Sequence, residues 1–199
     1  MRIVHYFSLM SGYAYLGFGE LCAVAKRHGA SVEHRPVDIA RVFAASETTA
    51  PPKQSPARLA WRRTDMARWA LRRNLPLNVA PRRWPVDATL SARAIIAATA
   101  RGFEVEAFIA EILASVWARD EDIADPETIA SLATTCGVDM DIVAAAASEN
   151  VGAAYELYTN EAIAAGVIGS PTVFVEDAMF FGQDRLDFLE HELRSRKAT

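Results

Sequence analysis

The sequence predicts an α/β fold in which a small mixed sheet is interrupted by a long all-helical insertion. Three observations carry this reading. The first forty residues alternate extended, helical and extended character. An Ala-rich helical stretch then runs from Asp87 to about Ala165. Extended character returns only after Gly169-Ser170-Pro171. The chain has 199 residues, 51% of them hydrophobic and 23% charged, which suits one packed domain or one domain carrying a large insertion.

Arg2–Phe7 reads as a strand, because the β-branched and aromatic residues Ile3, Val4, Tyr6 and Phe7 precede a polar break. Residues 8–12 form a turn. Residues 13–28 place Tyr13, Leu16, Phe18, Leu21 and Val24 at helical spacing, and Gly29 stops that helix. Residues 31–39 read as a second extended run, with Val32, His34 and Val37 set against polar neighbours. Strand, helix, strand at this spacing is a βαβ unit with a right-handed crossover. Residues 46–56 hold Pro51, Pro52 and Pro56 and read as a loop. Pro56–Arg73 is an amphipathic basic helix with Leu59, Met66, Trp69 and Ala70 turned inward, and residues 74–85 are a proline-punctuated connection. The following block breaks at Gly102, at 120–126, at Gly137 and at Gly152, which gives four or five helices. Asp125 followed by Pro126 marks one helix start. Thr172–Val175 and residues 179–181 form a hairpin around Glu176-Asp177-Ala178. A final helix over 185–194 puts Leu186, Leu189 and Leu193 on one face. The α/β part is thus 1–45 with 165–199, and the helical insertion is 46–164.

Composition excludes several functions. Lys and Arg total 21 against 25 Asp and Glu, a net charge of −4, so no basic stripe for nucleic acid is expected. Apolar runs such as 95–100 are too short to cross a bilayer, and residues 1–12 carry no secretory hydrophobic stretch, so a cytoplasmic protein without membrane partners is expected. Cys22 and Cys136 form no CxxC, and His5, His28, His34 and His191 are scattered. No metal centre is expected from these spacings, and both cysteines read as small hydrophobes.

The order of elements resembles the thioredoxin fold with a helical insertion, of the DsbA and kappa type. In that fold the reactive group sits at the start of the first helix, here Met10-Ser11-Gly12-Tyr13-Ala14-Tyr15. Ser11 and Ala14 stand where redox members carry cysteines, so dithiol–disulfide exchange has no thiols to work with. The stretch from Tyr6 to Leu16 is similar to the opening of 2-hydroxychromene-2-carboxylate isomerases and kappa-class glutathione transferases. Pro36-Val37-Asp38-Ile39-Ala40-Arg41-Val42, Asp65-Met66-Ala67-Arg68-Trp69-Ala70, Trp117-Ala118-Arg119-Asp120-Glu121-Asp122-Ile123, Gly166-Val167-Ile168-Gly169-Ser170-Pro171-Thr172 and Phe181-Gly182-Gln183-Asp184-Arg185-Leu186-Asp187 match in the same order.

The resemblance implies a site. Ser11 would be the catalytic residue, hydrogen-bonded to the sulfur of glutathione. A helix N-terminus, with its partial positive charge and unpaired amides, favours a thiolate there. Gly12 and Tyr13 flank it. The Ser170–Pro171 bond would be cis and would offer the Ser170 backbone to the tripeptide like an added strand. Gln183, Asp184 and Arg185 would receive the glutamyl end, with Asp184 accepting the α-ammonium. Arg58 would hold a carboxylate, Thr49 would stand near a place where transferases carry Asn, and Trp61 and Arg41 would line the substrate pocket. Ser8 and Gly12 depart from the usual Asp and Pro, and Trp84-Pro85-Val86-Asp87 lacks the Asn of some isomerases. The implied activity is a glutathione-dependent isomerisation of a small aromatic carboxylate by a homodimer. A kappa-like transferase or reductase that consumes glutathione, and a glutathione carrier without turnover, remain open.

Overall fold

The structure, a computed structural model, describes residues 1–197. Positions 198 and 199 of the expected 165–199 segment lie outside the described residues. The four strands β1 (Arg2–Phe7), β2 (Ser31–Pro36), β3 (Thr172–Val175) and β4 (Ala178–Phe181) form one sheet in the order β2-β1-β3-β4. β1 runs parallel to β2, with His5 opposite His34, and antiparallel to β3, with His5 opposite Val173. β3 and β4 are the expected hairpin. The parallel pair is joined by helix α1 (Gly12–His28), which ends at Gly29 in a left-handed conformation (φ 62°) that frees the backbone to turn into β2.

Period-two alternation decides which side of the sheet each residue covers. Ile3, Val173 and Val175 pack beneath Leu21, Val24 and Ala25 of α1 and beneath Leu186, Leu189 and Leu193 of α9 (Leu186–Lys197). Tyr6 packs on the other side with Val37, Ile39, Val42 and Ala162, residues carried by or next to α2 (Ile39–Ala45) and α8 (Glu149–Ala164). Arg35 crosses that face, donating to the Tyr6 hydroxyl at 3.0 Å and to Glu161 at 2.5 Å.

The helical segment contains α3 (Pro56–Arg73), α4 (Thr89–Ala100), α5 (Glu106–Ala114), α6 (Pro126–Thr135) and α7 (Ile142–Ala146), with one π-helical turn at Ser115–Arg119 after α5. It shares a single core with the α/β part. Phe7, Leu9, Leu16 and Phe18 pack in one cluster with Ile95, Phe108, Ile112 and Trp117. Full burial of each such side chain contributes roughly 1.5–3 kcal/mol, so the insertion is anchored to the helix that carries Ser11.

Three expectations need correction. The second extended run ends at Pro36, not at 39. The Asp38 carboxylate accepts from the amides of Ala40 (2.9 Å) and Arg41 (3.3 Å), and this cap starts α2 within the stretch read as strand. Gly152 does not break the helical block. It lies inside α8, where a Cβ would come within 3.2 Å of the Arg93 guanidinium, and the break falls instead at Ala147 and Ser148. The last helix begins one residue later than expected, after a 3-10 turn at Gln183–Arg185, and runs to Lys197.

Candidate active site

The loop between β1 and α1 is pinned from three sides. Trp117 donates its indole N–H to the Leu9 carbonyl (3.2 Å), and Trp84 donates its own to the Met10 carbonyl (2.9 Å). The Ser8 amide donates to Ser170 Oγ (2.8 Å), and the Ser11 amide donates to the Ser8 carbonyl (3.0 Å). Ser11, held in extended backbone (φ −94°, ψ 111°), becomes the N-cap of α1: its Oγ accepts from the Ala14 amide at 3.2 Å. The same hydroxyl donates to the Ser170 carbonyl at 2.8 Å. The Ser170–Pro171 peptide bond is cis, as expected. Trp84–Pro85 is cis as well, which was not foreseen.

Ser11 is therefore half-buried at the start of a 17-residue helix whose first turn carries no acidic residue. The first-turn amides lack intrahelical acceptors, and no side-chain carboxylate cancels the positive end of the helix dipole. An anion placed beside the Ser11 hydroxyl would meet both. Gly12, which stands where relatives carry Pro, is closely packed. A Cβ on Gly12 would lie 2.2 Å from Met66 Cε and 3.1 Å from the Trp117 ring, so the missing side chain is the room that lets α3 close on α1.

Tyr13 sits in a charged frame. Its hydroxyl donates to Asp65 at 2.8 Å, and the Arg62 guanidinium lies 4.7 Å from its ring centroid. Burial, reinforced by Asp65, pushes the phenol well above its usual range, so it stays protonated. Asp184 also acts on Tyr13, which places that carboxylate near the first turn of α1.

At the start of the last helix, Gln183 is buried (2% exposed), and its amide oxygen accepts from Arg73 Nη2 (2.9 Å) and Nε (3.2 Å). Arg73 Nη2 also reaches the Gln183 carbonyl. The Gln183 side chain is thus committed to α3. Asp184 and Arg185 are exposed and pair with one another at 2.9 Å. A groove of about 990 Å³ runs along the flank of α1 past Tyr15, Trp69, Arg73, Arg119 and Asp184. It reaches Asp184 but not Ser11 or Pro171, so this groove lies beside the helix N-terminus rather than over it.

The remaining expected residues divide. Arg58 is exposed at the first turn of α3, and among the described residues it has no carboxylate partner. Trp61 is 62% exposed, so it belongs to the surface and not to the core. Thr49 is exposed, and its carbonyl accepts from Gln54. Arg41 is tied to α8, paired with Glu156 and donating to Asn160 at 2.6 Å, so its charge is already neutralised. Trp84, Trp117, Arg62, Asp65 and Arg73 were missed as parts of the site. The one available signal was the two tryptophans: a buried indole N–H needs an acceptor and therefore organises a nearby loop.

Comparison with known proteins places this geometry in context. The family model of the DSBA-like thioredoxin domain matches residues 2–194. The chain is 30% identical over 191 residues to a 2-hydroxychromene-2-carboxylate isomerase of Sphingobium xenophagum, covering 94% of this chain and 95% of that protein. It is 30% identical over 198 residues to the enzyme of the same name from Pseudomonas putida, covering 96% and 93%. A solved 2-hydroxychromene-2-carboxylate isomerase superposes with a TM-score of 0.82 at 24% identity, covering 98% of this chain and 95% of that one.

Proposed function

The chain belongs to the DSBA-like thioredoxin family and, within it, to the 2-hydroxychromene-2-carboxylate isomerases; from that premise we propose that it is a glutathione-dependent isomerase that opens a chromene hemiketal carboxylate to a trans-benzylidenepyruvate. The observation that carries the reading is Ser11. Its hydroxyl stands at the N-terminus of α1, 2.8 Å from the carbonyl of the residue before cis-Pro171, at the place where a redox relative would hold its thiol.

The residues present fit the tripeptide by charge. Ser11 and the first turn of α1 offer donors to a thiolate, Asp184 offers a carboxylate to an ammonium group, and Arg58 offers an uncommitted cation to a carboxylate. Glutathione, when bound, supplies a thiolate that adds reversibly to a conjugated carbon and leaves again, so it is regenerated. The protein's own part is positioning. The Ser11 hydroxyl, which donates to the Ser170 carbonyl, would be free to donate to a sulfur at the helix start instead and would favour its thiolate form. The Ser170 backbone would hold the peptide backbone of the ligand. Trp61, exposed on the same helix as Arg58, offers an indole face on which the aromatic ring of the substrate stacks.

The test is calorimetric titration of glutathione into the wild-type protein and Ser11→Ala at pH 7.5, followed by an ultraviolet assay of isomerisation with total thiol counted before and after. Binding that weakens in the variant, with thiol unchanged after many turnovers, supports the proposal. Loss of one thiol per product makes the protein a transferase or reductase, and absence of binding by wild type removes glutathione from the account.

A further inference from the structure

We propose that Cys22, His34 and Glu106 form a binding site for one zinc ion, separate from the Ser11 site. The three residues come from the middle of α1, from β2 and from the start of α5, and one ligand atom from each lies within 4.8 Å of the other two. A tetrahedral zinc ion with bonds of about 2.0–2.3 Å sets its ligands roughly 3.5 Å apart, so the side chains need only a small closure to reach it. The set of one thiolate, one imidazole and one carboxylate suits zinc and does not suit magnesium or calcium.

The second observation is the state of His34. It is only 7% exposed, and its Nδ1 is engaged by Nδ1 of His5 across the β1–β2 pair at 3.0 Å. Its other nitrogen, Nε2, is buried and has no hydrogen-bond partner. Buried polar atoms are nearly always satisfied, so an orphan nitrogen on a histidine that clusters with a thiol and a carboxylate calls for a partner of another kind. The His5 contact is the outer-shell hydrogen bond that orients a ligating imidazole. On binding, the Cys22 thiol gives its proton to solvent and its sulfur lone pair to the metal. Glu106 is exposed, so the fourth position faces water.

The site is not the one at Ser11. Cys22 lies eleven residues further along α1, about 16 Å at helical rise. The ligands are 12 and 72 residues apart in the chain, which is why no metal spacing shows in the sequence. An ion there would pin α1 to both β2 and the helical segment.

The experiment uses the full chain, stripped with chelator, and titrates Co²⁺ and then Zn²⁺. One equivalent of Co²⁺ should produce a thiolate-to-metal absorption in the near ultraviolet, which Zn²⁺ displaces. Cys22→Ser should lose that absorption, and Cys136→Ser should keep it. Glu106→Gln, at an exposed position that leaves the fold intact, should weaken Zn²⁺ binding at least about tenfold. Absence of the thiolate band in wild type, or Zn²⁺ affinity unchanged in both Cys22→Ser and Glu106→Gln, would overturn the proposal.

Discussion

Ser11 makes two contacts with one hydroxyl: it accepts from Ala14 as a helix cap and donates to Ser170 across the site. Substitution can separate these roles. Ser11→Ala should cost about 1 kcal/mol of stability through the lost cap, read as a lower urea midpoint at constant slope, and should weaken glutathione binding. Ser11→Asp keeps a good cap but cannot donate to the Ser170 carbonyl, and it sets a carboxylate where the thiolate belongs. Its midpoint should fall through that lost contact while calorimetry detects no glutathione. Gly12 is a packing position: Gly12→Ala should cost about 1–3 kcal/mol because Met66 must move off its 1% exposed seat against Trp117. Met66→Ala in the same chain should make the Gly12 substitution cheaper, and simple additivity of the two changes in urea melts would refute the contact.

At the scale of elements, the link between α3 and the start of the last helix is Arg73 on Gln183. Three hydrogen bonds from one guanidinium satisfy a buried amide oxygen and a backbone carbonyl. Arg73→Met removes the donors and leaves both acceptors buried. The expected loss is about 1–3 kcal/mol, with weaker glutathione binding because the turn that displays Asp184 is no longer held. A normal glutathione affinity in a stably folded Arg73→Met would separate Asp184 from the ligand. Most elements were legible because their signals are local. The strand Arg2–Phe7, the helix Pro56–Arg73, the Asp125–Pro126 start and the leucine face of α9 all follow from side-chain period and cap chemistry. The helix α2 was not, since seven residues are too few to show a period against Val37 and Ile39, which read equally well as strand.

For the whole molecule, acid sensitivity should come from the His5–His34 pair. Burial lowers His5 well below its usual value, and His34 to about 4. Above pH 6.5 both rings are neutral whether folded or unfolded, and they make stability independent of pH. Below it the unfolded chain takes up protons that the folded chain refuses, so stability falls as pH drops from about 6.5 toward 4, by about 1.4 kcal/mol per pH unit for each such ring. Urea midpoints of chelator-treated protein at pH 7.5, 6 and 5 should decline in that order, and a flat series would contradict the buried neutral pair.

The amino-acid order alone determined the element sequence, the insertion between two halves of a sheet, and the placement of Ser11 at the first helix start, while the family resemblance set Ser170–Pro171 opposite it. Each depends on spacing within a dozen residues, or on motifs kept in register along the chain. Tertiary structure alone decided which of those residues are free to act. It tied Arg41 to Glu156 and Gln183 to Arg73, left Arg58 without a carboxylate partner among the described residues, and put Trp61 on the surface. It also brought Cys22, His34 and Glu106 together. The reason is the range of the forces: helix and turn signals act over one or two turns of chain, whereas burial, charge pairing and close approach depend on residues that only packing makes neighbours.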